Sequence, residues 1–238
     1  MKISIFFLSL MLTLCLASCS QLTKESEQNL ESQIKKENIE PMKLEKFEKI
    51  ELLTPETTGG ISIIEAMHKR HSDREFDTSK NLSLRHLSDI LWVANGINRE
   101  NAKRTVPSAM AMYPIKTYAV LSNGIYFYDP YQNTLDPVVE GDYRELTGLQ
   151  DFVYSAPLNV IFIADYNVYD NAKRAIPEEK RLYLASLDAA HSCQNIYLYC
   201  ASEGLRTVER AGAKENELLK ILNLDNKHQF IVAQTVGY

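Results

Sequence analysis

The stretch from Pro177 to Gly204 constrains this chain most. Pro177 suits a first helical position, where its missing N–H is no loss. Glu178 and Glu179 follow at the end where a helix favours negative charge. Leu182, Ala185, Ala189, Cys193, Ile196 and Cys200 then recur along one side. Gly204 is placed to end the run. The spacing predicts one long helix from 177 to about 203, with small residues suited to close packing against a second helix. Leu158 to Ala164 is nearly continuous in apolar residues and reads as a strand buried on both faces.

The remaining elements are shorter. Ile61, Ile64 and Met67 predict an amphipathic helix over 61–70. Ser83 reads as the N-cap of a helix carrying Leu84, Leu87, Ile90, Leu91 and Ala94, ended by Gly96. Tyr113 to Leu121 and Ile125 to Tyr128 flank Asn123-Gly124, a strong hairpin signal. A helix is expected over 142–153, a strand over 205–209, a helix over 214–222 and a last strand over 229–236. No repeat is visible. The mixture is α+β, a few strands covered by helices.

The first residues read differently. Lys2 precedes an apolar run from Ile3 to Leu16, and Leu16-Ala17-Ser18-Cys19 places small residues before a cysteine. This resembles a bacterial lipobox, with 1–18 as a cleaved signal peptide and Cys19 as the lipidated N-terminus. The competing reading, a transmembrane anchor, asks for a longer run. Residues 19–55 read as a polar tether, rich in Glu, Lys, Gln and Ser, and 56–238 as the domain. Pro55 and Gly59-Gly60 mark the break. The expected location is the cell envelope, lipid-anchored to a bacterial membrane with the domain outside the cytoplasm. The net charge of −5, one more negative once Lys2 leaves, argues against nucleic acid as a partner. Of four cysteines, Cys15 would be cleaved away and Cys19 lipidated. Cys193 and Cys200 lie seven apart on the long helix, roughly 10 Å, too far to bridge. They read as small buried hydrophobes.

Four segments carry possible chemistry. Lys69-Arg70-His71-Ser72-Asp73-Arg74-Glu75-Phe76 gathers three fixed cations, a histidine and a hydroxyl, a set that matches phosphate oxygens. Taken alone, a solvated charged helix end is the commoner meaning of such a cluster. Arg104-Thr105-Val106-Pro107-Ser108-Ala109 is a loop entering the hairpin. Asp188 to Leu198, continuing to Gly204-Leu205, lies along the long helix. Gln150 precedes Ala156-Pro157 and the buried strand.

In this order the segments resemble the nitroreductase family of FMN-dependent oxidoreductases, over roughly residues 60–238. The Arg70–Phe76 block carries the resemblance, with Trp92 to Asn98, Gln194-Asn195-x-x-Leu198 before Gly204-Leu205, and the final Val232 to Tyr238. Pro107-Ser108 and Tyr113-Pro114 look like the branch related to peptide-modifying dehydrogenases. The resemblance implies a central, mostly antiparallel sheet flanked by helices, a long central helix and a homodimer. It implies FMN, with Arg70 and Arg74 on the phosphate, helped by His71 and Ser72. It implies ring contacts from Pro107, Ser108 and Ala109 of the partner protomer, from Gln150, and from the backbone of Ala211 and Gly212. The redox substrate would be a small molecule or a peptide. The sequence departs from the family where Ser-Ala-Gly-Ala becomes Ser108-Ala109-Met110-Ala111. A lipid-tethered binding module of the same fold without flavin turnover is the alternative.

Overall fold

The computed structural model describes residues 39–172 and 174–238. The leader, Cys15, Cys19 and most of the polar tether lie outside the described residues. Seven strands form one sheet: β1 (Ile50–Glu51), β2 (Ile115–Leu121), β3 (Gly124–Asp129), β4 (Thr134–Glu140), β5 (Leu158–Asp165), β6 (Arg206–Arg210) and β7 (His228–Gly237). Their order is β1-β4-β3-β2-β5-β7-β6, and every neighbouring pair is antiparallel. Among the described residues five α-helices accompany them: α1 (Ile63–Lys69), α2 (Leu84–Asn95), α3 (Asn167–Asp170), α4 (Glu178–Glu203) and α5 (Glu215–Ile221).

β5 lies in the middle, between β2 and β7, and alternates its side chains between two cores. Leu158, Val160, Phe162 and Ala164 meet Leu87, Ile90 and Leu91 of α2 and Ala185, Ala189, Cys193 and Ile196 of α4. Ile161 and Ile163 join Val120, Ile125 and Phe230 on the other face, under Leu218 and Leu222. That is why β5 reads as apolar without a break. Each fully buried Ile or Phe contributes roughly 1.5–3 kcal/mol of apolar transfer, so the doubly covered strand is the hub of the domain.

The long helix starts one residue later than expected. Pro177 is its N-cap, and Gly204 closes it at φ 70, a left-handed conformation that glycine adopts without strain. Cys193 and Cys200 are buried free thiols.

Four expectations need correction. The segment 142–153 is two short 3-10 turns, Arg144–Leu146 and Asp151–Tyr154, interrupted at Gly148. A side chain at Gly148 would collide with Arg210. β4 went unforeseen because Pro137 argues against a strand; it is tolerated where β4 is the edge, beyond the short pairing with β1. In α1 the buried residue is Ala66, while Ile64 is 72% and Met67 54% exposed. Lastly, the compact unit begins at Pro41, not at residue 56. Met42 donates its amide to Leu82 O at 3.0 Å, and the Phe47 ring packs 5.1 Å from that of Tyr126. The arm's apolar residues, spaced among charges, hide this packing in the composition. Gly124 shares in it. The hairpin turn is Ser122-Asn123, and a Cβ at Gly124 would lie 2.3 Å from the Phe47 ring.

Candidate functional site

Arg70 caps the end of α1, donating its amide to Ala66 O at 2.9 Å. The chain then turns extended and runs beside β6. Asp73 N–H donates to Thr207 O at 3.0 Å, and Arg206 donates to Glu75 O at 2.8 Å. Tyr197 of α4 anchors the block. Its hydroxyl accepts from Glu209 N–H at 2.9 Å and lies 2.8 Å from Ser72 Oγ. The Arg70 guanidinium sits 5.3 Å from the Tyr197 ring centre, within cation–π range. His71 is exposed, with Nδ1 2.8 Å from Lys69 O and Nε2 3.6 Å from Asp73. Partial burial pushes the Asp73 carboxyl up, but the Glu75 amide and Arg206 outweigh it and hold it below the ordinary carboxylate range. Among the described residues, neither Arg70 nor Arg74 has a carboxylate within 4 Å.

Phe76 joins the block to the other predicted segments. Its ring lies 5.7 Å from Phe152, and Phe152 lies 5.9 Å from the Arg210 guanidinium. Gln150 is exposed and immediately precedes the turn that carries Phe152; its carbonyl accepts from Val153 N–H at 3.2 Å. A Cβ at Gly212 would meet the Leu149 side chain at 3.2 Å, so Leu149 packs over the 211–212 turn. Arg210 itself is buried at the end of β6. It donates to Thr147 O, to Asn159 Oδ1 at 2.9 Å and to Thr235 Oγ1 at 2.7 Å. Burial lowers its pKa to about 10, which leaves it a cation at neutral pH. Sequence reasoning missed Arg210 and the part played by Tyr197. An arginine at the end of a five-residue strand that already holds Arg206 and Glu209 gave the first no signal, and Tyr197 read only as helix.

The loop 104–113 stands apart from this cluster. Pro107 is exposed, Ala109 half-buried, and Ser108 Oγ accepts from Tyr113 N–H at 2.9 Å. Asn195 of α4 donates to Thr105 O, and Asp188 lies against Ser108. Asp188 and Tyr197 are nine residues apart on one helix, about 13 Å. Among the described residues no hydrogen bond or ion pair joins Pro107, Ser108 or Ala109 to the Arg70–Arg74 block. Three residues of the loop hold positive φ: Met110 at 54°, Ala111 at 54° and Tyr113 at 49°. Such conformations cost side-chain-bearing residues of order 1–3 kcal/mol and concentrate at ligand sites. Met110 stands where the resembling loops carry glycine, and its φ explains why glycine suits that position.

A family model described as Nitroreductase matches residues 67–238. The chain belongs to the nitroreductase family. MJ1384 of Methanocaldococcus jannaschii, assigned as a nitroreductase, is 32% identical over 174 residues, covering 69% of this chain and 85% of that protein. A crystal structure from Ralstonia eutropha, likewise assigned as a nitroreductase, is 34% identical with a TM-score of 0.75, covering 83% of this chain and 92% of that one. The Escherichia coli microcin synthetase complex McbBCD contains a chain of the same fold, at 22% identity and TM-score 0.59, covering 82% and 80%. This nitroreductase-family chain is an oxidoreductase by family, and its all-antiparallel sheet with the long α4 is the family's α+β architecture. Cys193 and Cys200 are buried, and burial pushes both thiols up, away from the reactive thiolate.

Proposed function

We propose that this nitroreductase-family oxidoreductase works with FMN at a site shared by two protomers. The observation that carries the reading is that Arg70 and Arg74, which flank Ser72 in the chain, have no carboxylate within 4 Å among the described residues. A phosphate dianion is the group that two such cations and a hydroxyl suit. FMN supplies reversible two-electron transfer when bound. Arg70 and Arg74 hold its phosphate, with Ser72 and His71 assisting. Gln150 and the backbone N–H groups of Ala211 and Gly212 face the ring, and Pro107, Ser108 and Ala109 of the partner cover it. Two features support the shared site. Loop 107–109 stands away from Arg70 within one chain, and α1 and α4 expose Ile63, Ile64, Met67, Leu182, Tyr183 and Leu187.

Arg70→Ala should weaken FMN binding by roughly ten- to a hundredfold, the value of a charge-assisted pair, and Arg70→Lys should recover only part. Titration of FMN into apo-protein reads this directly, and an unchanged affinity in the alanine variant removes Arg70 from the site.

The reading extends to the envelope. Cys19 carries lipid that tethers the domain outside the cytoplasm, where nicotinamide nucleotides are scarce. The electron partner is then a quinol, an extracytoplasmic redox protein or a small-molecule or peptide substrate that is itself oxidised. Cys19→Ser should release the protein from membranes; retention in the membrane fraction would mean a transmembrane anchor. Rapid flavin reduction by micromolar NADPH in stopped flow would count against the donor assignment.

A further inference from the structure

A cavity lies at the opposite end of β5 from Pro157 and Phe76, behind the loop 104–113. It encloses about 220 Å³ between the end of α2, the start of β2 and the end of β3. Arg104 forms one wall. Its residue is only 9% exposed, yet its guanidinium makes one hydrogen bond, from Nη1 to Asn95 Oδ1 at 2.8 Å. Its Nε is buried without a partner. Its flat face covers the Tyr113 ring at 4.8 Å. No carboxylate lies within 4 Å of it among the described residues. A buried cation in that state is costly unless an anion completes it.

The other walls say which anion. Asn95 donates its amide to Thr117 Oγ1 at 3.1 Å, so the threonine's own hydroxyl hydrogen is free to point elsewhere. Tyr128 is 1% exposed and lines the cavity. Burial raises its pKa, so its hydroxyl stays a neutral donor. Ile115, Phe127 and Tyr131 supply apolar and aromatic surface. Four further charged groups surround the region. Lys116 pairs with Asp165 at 3.6 Å, Asp129 caps the Tyr131 and Gln132 amides through Oδ1, and Asp188 lies beyond Ser108.

We propose that this cavity binds a small organic carboxylate, its anionic head on Arg104, Thr117 and Tyr128 and its planar body against Phe127 and Tyr131. The site is separate from the Arg70 phosphate clamp and does not depend on it.

Calorimetric titration of sodium benzoate, and of its neutral isostere benzamide, into the full-length protein with and without excess FMN tests this. Benzoate should bind at least about tenfold more tightly than benzamide, the value of one charge-assisted contact. Tyr128→Phe and Arg104→Gln should each cut benzoate affinity by about fivefold or more, and Asp129→Asn should raise it. Tyr128→Phe and Asp129→Asn keep the test decisive if Arg104→Gln does not fold. Equal affinity for acid and amide overturns the proposal. So does benzoate binding that appears only with FMN and ignores all three variants, a result that leaves the FMN reading standing. Variant-sensitive binding in protein that takes up no FMN supports the carboxylate site and removes the flavin reading.

Discussion

Among the described residues, two arginines are buried with no carboxylate within 4 Å, and they are opposites. Arg210 is wrapped by neutral acceptors: Thr147 O, Asn159 Oδ1 and Thr235 Oγ1. Gly148 gives it room, since a Cβ there would lie 2.1 Å from its Nη1. Arg104 has one such acceptor and a bare Nε, and it borders a cavity. The first is a completed part of the fold, tying the 144–154 segment to the sheet. The second is an unfinished coordination shell. Burial of a charge therefore does not by itself mark a binding site; what marks it is how many of the donors are already used.

The sharpest test of the contrast is to replace each by methionine. Arg210→Met strands Thr147 O in the interior and removes the bonds to Asn159 Oδ1 and Thr235 Oγ1, and should cost about 3–5 kcal/mol, read as a lower urea midpoint. Arg104→Met leaves only Asn95 Oδ1 short of a partner and removes an uncompensated charge, so it should stay within about 1 kcal/mol of the parent. Equal losses would erase the distinction.

A smaller effect concerns Asp188, the carboxyl behind Ser108 on the Arg104 side. Burial pushes it up, while Ser108, His191 and Arg104 favour its charged form. Because the folded value is the higher one, the native state holds the proton longer than the unfolded chain does. Stability from this group is complete below the ordinary value of 3.8 and is lost as pH rises through the raised folded value. Asp188→Asn should therefore gain on the parent as pH climbs from 3.8 towards neutrality, and parallel urea melts across that range would show it. A constant difference at all pH values would mean that Asp188 does not titrate in this way.

The smallest expected change is at Met110. Glycine there relieves a left-handed φ of 54° but loosens the unfolded chain, so Met110→Gly should raise stability by no more than about 1 kcal/mol. A clear loss would show that the Met110 side chain, 52% exposed, holds the loop by contact.

The sequence made legible what is fixed by local periodicity. The α4 helix, the α2 cap at Ser83 and the β5 strand all occur where spacing and punctuation put them. It failed where distant residues decide. Gly148 lies inside the span read as a helix and is a clearance for Arg210, 62 residues away along the chain. Gly124 looked like a turn residue and is a seat for Phe47. The site was legible unevenly for the same reason. The Arg70 block is contiguous and announces its charge, whereas the emptiness around Arg104 depends on α2, β2 and β3 meeting there.

The arm that begins at Pro41 has a mechanical meaning. Its one strand, β1, is two residues long and joins the outermost edge of the sheet, Ile50 on Leu135 and Glu51 on Thr134. Load applied at the N-terminus would meet the Met42–Leu82 and Asn123–Lys46 bonds first, then the Phe47 seat, and then this short ladder. Those contacts can open one after another like a zip while β2, β5 and β7 stay paired. The arm would thus yield as a fuse, absorbing a pull before the central sheet feels it.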